Sequence, residues 1–355
     1  MQPRIVWFST ARSPYNDYLF SELARQSNLT VYYRVWKLES HPWKLPEPNY
    51  DCQPLQGQFF AALGAARRAD LVVVAGWDSI RFLLLGLFLP RKVRTAFWTD
   101  TPYPGVHGII HDFIRMLIIR YVFIRFDRIW GTGLAGCQVL WALGCSAKKT
   151  DSLPFFVNNI AAVELRDADQ ITKFRFANDA ETKMAALCAG QLIPSKRYAD
   201  AIQAMKLLTG DVVLWIAGDG PQREYLVELA RSLNVEDRVK FLGWLQPNAV
   251  ALAMDACDIF LHPAELDPFP TVVLDAMSRG KPIIGNLTSG SIADRVRDGW
   301  NGYIVPLGDS AAIAERMDRF AVDRNRIAEF GLKARTVALG YPVHDGVAKI
   351  LDALA

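Results

Sequence analysis

The chain has 355 residues, 51% hydrophobic and 22% charged, which excludes a disordered chain and leaves room for two domains. No uncharged apolar run approaches the ~18 residues of a membrane-spanning helix; the longest is Phe82 to Leu89. The net charge of +3 is unevenly shared, +7 over residues 1–158 and −4 over the remainder, so the first half is expected to face something anionic.

Met1-Gln2-Pro3-Arg4 runs straight into a strand-like IVWFS, so no secretory leader is expected. The five Cys (Cys52, Cys137, Cys145, Cys188, Cys257) are odd in number and unclustered, and the five His are scattered. Neither a disulfide framework nor a metal-binding spacing results, and a reducing cytoplasm fits best.

Arg4–Ser9 reads as a buried strand, Tyr15–Gln26 as an amphipathic helix and Leu29–Val35 as a second strand, a doubly wound opening. The intervening loop, Thr10–Asn16, holds Arg12 and Ser13 and lacks GxGxxG, which argues against a dinucleotide fold. Residues 37–57, rich in Pro, Trp and Glu, read as loop. Phe59–Arg68 reads as helix, Leu71–Ala75 as strand, Ser79–Leu89 as helix and Thr95–Trp98 as strand. That last strand runs out into a segment from Thr99 to Gly108. Ligands in open α/β sheets collect beyond the C-terminal strand ends. Asp100 and His107 are therefore candidates to orient or deprotonate an acceptor hydroxyl, with Arg12 and Ser13 as further acceptor-side candidates. A helix-capping acid and a surface histidine are the plainer alternative.

Ile109–Phe126 is the most apolar helix, yet it carries Arg115, Arg120 and Arg125. A five-residue spacing turns roughly 140° per step, so these three do not share one face. Two readings stand. With Phe82–Leu89 and Arg91-Lys92-Val93-Arg94, the helix makes a peripheral contact with an anionic membrane, or it is an interior helix whose Arg side chains snorkel outward. Asp127–Trp130 reads as a short strand and Gly136–Leu143 as a helix. Ser152–Asn158 reads as the exit from the first domain.

The second half starts again with a strand, Met184–Gly190, a turn to Arg197 and a helix, Tyr198–Leu208. Val212–Ala217 is a strand that enters Gly218-Asp219-Gly220-Pro221 and a helix, Gln222–Leu233. Val239–Gly243 is a strand and Pro247–Ala256 a helix. Cys257–Leu261 is a strand leading to a Pro-rich turn, Pro263–Pro270, and a helix from about Thr271. Gly285–Ile292 reads as a Gly/Ser-rich loop, Asp298–Gly302 as a tight turn, Tyr303–Pro306 as a last short strand and 310–355 as helical.

Four motifs follow one another here: Gly190–Lys196, Gly218–Pro221, Asp267-x7-Asp275 and Asp298–Gly302. In that order and spacing they resemble the retaining, GT-B-fold glycosyltransferases of family 4. Three departures stand out. Two Asp replace the usual Glu pair, Gln191 replaces an Arg, and Pro268 and Pro270, which lack an N–H donor, replace Gly. The resemblance implies an α/β GT-B fold of two Rossmann-like doubly wound domains facing a cleft. It divides the chain into 1–160, acceptor-binding; 161–340, donor-binding; and 341–355, a C-terminal helix returning to the first domain.

It also implies retaining transfer of a sugar from a nucleotide-diphospho-sugar co-substrate, without a metal or other cofactor. Lys196 would stabilise the departing diphosphate, Asp267 would hold the sugar and Asp275 the ribose. Gly190, Gln191, Arg197, Gly218, Gly220, Phe269, Thr271, Ser289 and Gly290 would line the donor site, with Trp244 and Leu245 near the base. The expected acceptor is a lipid-linked or phosphorylated glycan of cell-surface polysaccharide or glycoconjugate synthesis, with no nucleic acid involved. The expected place is the cytoplasm, with the inner face of the membrane as the peripheral site. Two alternatives are a degenerate, non-catalytic scaffold and a nucleotide-sugar epimerase or hydrolase of the same fold.

Overall fold

The structure is a computed structural model that describes residues 1–36, 42–76, 88–100, 109–157 and 167–355, with only the backbone of 109–115. The expected helix Ser79–Leu89 and the segment with His107 lie outside the described residues, apart from their ends. The chain divides into two compact units, residues 1–156 with 342–355, and residues 157–341.

The first unit is built on seven parallel strands: β1 (Arg4–Ala11), β2 (Asn28–Val35), β3 (Asp51–Pro54), β4 (Leu71–Ala75), β5 (Arg94–Thr99), β6 (Arg128–Gly131) and β7 (Thr150–Ser152). Their order is β3-β2-β1-β4-β5-β6-β7. The central strands are apolar on both faces because both are covered, as parallel sheets require. Trp7, Val31, Val73 and Trp98 point to one face, where Leu19, Phe20 and Leu23 of helix Pro14–Ala24 meet them. Phe8, Tyr32, Val74 and Phe97 point to the other, under helices Phe59–Ala66 and Ile109–Arg125. The last helix, Val343–Asp352, belongs to this unit: Val343, Val347 and Ile350 join the core of Trp7 and Trp98.

Two edges differ from the sequence reading. Residues 51–54, read as loop, form edge strand β3, and 150–152, next to the expected domain exit, form edge strand β7. Both are short and polar, so neither shows an apolar run. An edge strand needs a ladder on one side only, which also admits Pro54.

The second unit holds six parallel strands: β8 (Met184–Ala189), β9 (Val212–Ala217), β10 (Val239–Gly243), β11 (Ile259–His262), β12 (Ile283–Gly285) and β13 (Gly302–Ile304). Their order is β10-β9-β8-β11-β12-β13. All six residues of β8 and of β9 are buried. Alternate residues feed two cores: Ala186, Cys188, Leu214 and Ile216 pack on helices Tyr198–Leu207 and Ser310–Val322, and Leu187, Val213, Trp215 and Phe260 on helices Pro247–Ala256 and Thr271–Ser278. Trp215 lies wholly inside, and its indole N–H donates to the Asn178 carbonyl at 2.9 Å. No helix among the described residues is long and apolar enough to cross a membrane.

Candidate active site

Apart from Asp298–Gly302, which leads into β13, the segments singled out in the second half follow the C-terminal ends of strands of one sheet. Gly190–Arg197 follows β8, Gly218–Pro221 follows β9, Trp244 and Leu245 follow β10, residues 263–270 follow β11, and 286–289 follow β12. Chain direction away from the first strand reverses between β8 and β11, so the loops after these two diverge. Ligands of doubly wound sheets bind in the crevice this opens.

Lys196 and Asp267 come from those two loops and meet there. Lys196 closes a short 3-10 turn, Pro194–Lys196, two residues ahead of the helix Tyr198–Leu207. Arg197 intervenes with a left-handed φ of 52°. The Lys196 ammonium contacts Asp267 Oδ2, with the two side chains only 18% and 15% exposed. The Glu265 N–H donates to the Ser195 carbonyl at 2.8 Å and ties the loops together. His262, the last residue of β11, is 2% exposed and places Nε2 3.1 Å from the same Oδ2. Asp267 Oδ1 has no partner among the described residues. Burial pushes the Asp267 carboxyl upward and is the largest single influence. His262 and Lys196 together outweigh it and hold the group below its ordinary value. The fold therefore keeps a buried, ionised carboxylate with one oxygen occupied and one free.

The neighbouring candidates divide into those near this pair and those serving the fold. Arg197 grips Asp200 through Nε at 2.7 Å and Nη2 at 3.2 Å, and reaches Glu265 at 3.5 Å. Its charge is therefore directed at those carboxylates, and Gln191, where the family carries an Arg, is partly buried. Gly218 and Gly220 are demanded by packing. A Cβ on Gly218 would lie 1.8 Å from the Gly190 carbonyl oxygen, and one on Gly220 2.6 Å from that of Leu192. The loop after β9 nests directly on the loop that carries Lys196, through Leu192 N–H to the Asp219 carbonyl at 2.9 Å.

Thr271 opens helix Thr271–Ser278 behind Pro270, with no side-chain cap. Asp275 lies in the second turn of that helix, partly buried. Phe269 is buried, with the Arg295 guanidinium 5.5 Å from its ring centre. The segment read as a Gly/Ser loop instead enters a helix, Gly290–Arg295. Ser and Gly have little helical preference, but buried contacts override it here. The Gly290 N–H donates to the Asp267 carbonyl at 3.1 Å, and Ser291 Oγ to the Pro270 carbonyl at 3.0 Å. These two residues thus fix the turn that presents Asp267. Ser289 Oγ is buried without a hydrogen-bond partner among the described residues. Trp244 and Leu245 are partly buried, and Leu245 packs on the core.

In the first unit, Asp100 is exposed just past β5, and its Oδ1 accepts from Thr132 Oγ1 at 3.0 Å. Arg12 is committed to Asp17, Nε to Oδ1 at 2.9 Å, and to the Pro46 carbonyl. Ser13 caps helix Pro14–Ala24 by accepting from the Asn16 N–H at 3.2 Å. His107 lies outside the described residues. Two residues were passed over in the sequence. His262 is one of the five scattered histidines, and its place at a strand end five residues before Asp267 is the sequence signal that could have found it. Asn286 hydrogen-bonds the Pro263 and Ala264 carbonyls at 3.1 and 2.9 Å, and no sequence signal marks it.

Residues 169–337 match the family model described as glycosyl transferases group 1. A lipopolysaccharide core biosynthesis glycosyltransferase, LpsE of Rhizobium meliloti (strain 1021), is 34% identical over 145 residues, 40% of this chain and 42% of that protein. The chain thus spans well under half the length of that relative. A putative colanic acid biosynthesis glycosyltransferase, WcaL of Escherichia coli (strain K12), is 28% identical over 76% of this chain and 66% of its own. The crystal structure of Anabaena HepE in complex with UDP superposes with a TM-score of 0.82 at 18% identity, covering 100% of this chain and 99% of that one. Its complex with UDP-glucose gives a TM-score of 0.78. The fold is GT-B.

Proposed function

We propose, from a GT-B chain whose second domain matches the group 1 glycosyltransferases, that this protein is a glycosyltransferase using a nucleotide-diphospho-sugar. The carrying observation is the meeting of Lys196 and Asp267 at the switch point of the second sheet. A diphosphate there draws the Lys196 ammonium, whose positive charge stabilises the leaving group as it gains negative charge. Asp267 Oδ1, ionised and free, accepts from sugar hydroxyls. In the reaction the acceptor oxygen bonds the anomeric carbon, the carbon–phosphate oxygen bond breaks, and the acceptor proton passes to the departing phosphate. That route needs no separate base and gives retention. HepE holds UDP and UDP-glucose, which supports a uridine donor as the first to test.

The acceptor proposed is a lipid-linked or phosphorylated glycan in surface polysaccharide synthesis. LpsE and WcaL support it by description, and the +7 charge of residues 1–158 by attraction. A peripheral membrane contact fits the same unit. Met116, Arg120 and Ile124 fall four residues apart and are exposed, as are Phe88, Arg91 and Lys92. The donor reading is tested by a thermal-shift screen of UDP, GDP, dTDP, ADP and CMP, with and without EDTA. One diphosphate that raises the melting temperature regardless of EDTA supports a metal-independent donor site. No shift with any of them overturns it.

A further inference from the structure

We infer that His262 is the positioning residue for Asp267, the group that holds this carboxylate on the donor sugar once the diphosphate has recruited Lys196. The inference rests on the donor-site reading above and adds to it a residue with no assigned part. Three observations carry it. Lys196 and His262 converge on one oxygen of Asp267, Oδ2, and leave Oδ1 free. Their anchors differ: Lys196 ends a short turn and reaches through a flexible four-carbon stem, whereas the His262 ring is fixed to the last residue of a central strand and is 2% exposed. Finally, neither His262 nitrogen has an aligned hydrogen bond among the described residues, although Nε2 is 3.1 Å from Oδ2.

A buried imidazole without a partner is costly. Here Lys196 already holds the oxygen it faces, and departure of the ammonium frees that oxygen for the imidazole. A small rotation then aligns the Nε2 hydrogen with Oδ2. The other titratable groups near this carboxylate do not compete. Tyr198 is fully buried and only weakly felt, and Arg197, Glu265 and Asp200 pair with one another. Asp267 is one methylene shorter than a glutamate and its loop is pinned through the Gly290 N–H. A fixed donor on Oδ2 therefore sets where Oδ1 points.

The test uses the whole chain with UDP and UDP-glucose as probes, read by calorimetry and by UDP-glucose hydrolysis. The wild type should bind UDP-glucose more tightly than UDP. His262→Ala should keep UDP affinity within about twofold, lose the glucose increment with a matching rise in KM for UDP-glucose, and lower kcat about 10- to 100-fold, as for a misplaced group. His262→Gln puts an amide N–H near the place of Nε2 and should restore kcat to within about threefold; His262→Asn, which mimics Nδ1, should not. Should the alanine variant fail to fold, the Gln and Asn pair decides alone. Equal rates for Gln and Asn, or losses that follow melting temperature, would show a merely space-filling histidine and overturn the inference. A wild type that binds no nucleotide of the thermal-shift screen removes the donor reading and this inference with it; if a different diphosphate binds, that diphosphate and its sugar conjugate replace UDP and UDP-glucose as probes. A wild type that binds both, with His262→Ala indistinguishable, removes the inference alone.

Discussion

Gly218→Ala is the substitution for which the structure makes the sharpest demand. The residue has φ +149°, a backbone conformation that L side chains rarely adopt, and its Cβ would sit 1.8 Å from the Gly190 carbonyl oxygen. Cβ atoms do not approach heavy atoms within 3.0 Å, so the loops after β8 and β9 must part by more than an ångström. The backbone conformation costs about 1–3 kcal/mol and the overpacking a similar amount, about 2–6 kcal/mol together. Against a typical total of about 5–15 kcal/mol this is a severe loss. Gly299→Ala is the internal control. It has φ +71° with nothing within 4 Å of the added Cβ, so only the left-handed conformation is penalised, by about 1 kcal/mol. Urea unfolding of the whole chain, followed by circular dichroism and amide exchange on β8 and β9, reads both. If Gly218→Ala stays within about 1 kcal/mol of the parent, or matches Gly299→Ala, the nesting of the two loops is wrong.

Four further outcomes are expected. Lys196→Ala should cut turnover by about 100-fold or more, and a fall within threefold would remove the diphosphate role. Asp267 has a folded pKa below its unfolded value, so its stabilising contribution is present above the ordinary carboxylate range and is lost as pH falls through the folded pKa. Urea midpoints measured downward from pH 6 should fall less steeply for Asp267→Asn than for the parent below about pH 4; parallel slopes would contradict this.

Arg295 is 5% exposed, stacks 3.7 Å over Tyr341, and has no carboxylate partner in the described residues; burial pushes its guanidinium down to about 10. Arg295→Met keeps the apolar contacts and removes the buried charge, so the unfolding free energy in urea should hold or rise, by up to about 1–4 kcal/mol. Because the cost of a depressed base is relieved as pH climbs through its folded pKa, that advantage should shrink near pH 10. Gly346→Ala would set a Cβ 2.4 Å from the Phe156 ring. Amide protection should drop by about 1–3 kcal/mol in the first unit and not in the second.

Much of the framework was readable without coordinates. Runs such as LVVVA, MAALCA and VVLWIA have no polar face, and a strand of that kind is stable only when both sides are covered, as in a parallel sheet. The loops after such strands are where ligands collect, so the order of motifs already placed Lys196 and Asp267 at one edge of one sheet. Local pattern ends there. The edge strands Asp51–Pro54 and Thr150–Ser152 take their structure from a neighbour, through ladder hydrogen bonds that any sequence can make. The direction of a charge is likewise a matter of neighbours. Arg197 and Lys196 are adjacent in sequence, yet a left-handed residue between turn and helix sends one to Asp200 and the other to Asp267. Gly218 and Gly220, expected to line the donor site, also leave room for the loop after β8, a demand that only packing reveals. His262 acquires its place only because β11 ends where the loop after it folds back, within 3.1 Å of Asp267. Periodicity and turn chemistry act within one segment and specify elements. The electrostatic state of the site depends on contacts between segments 71 residues apart, such as Lys196 with Asp267, and only packing decides those.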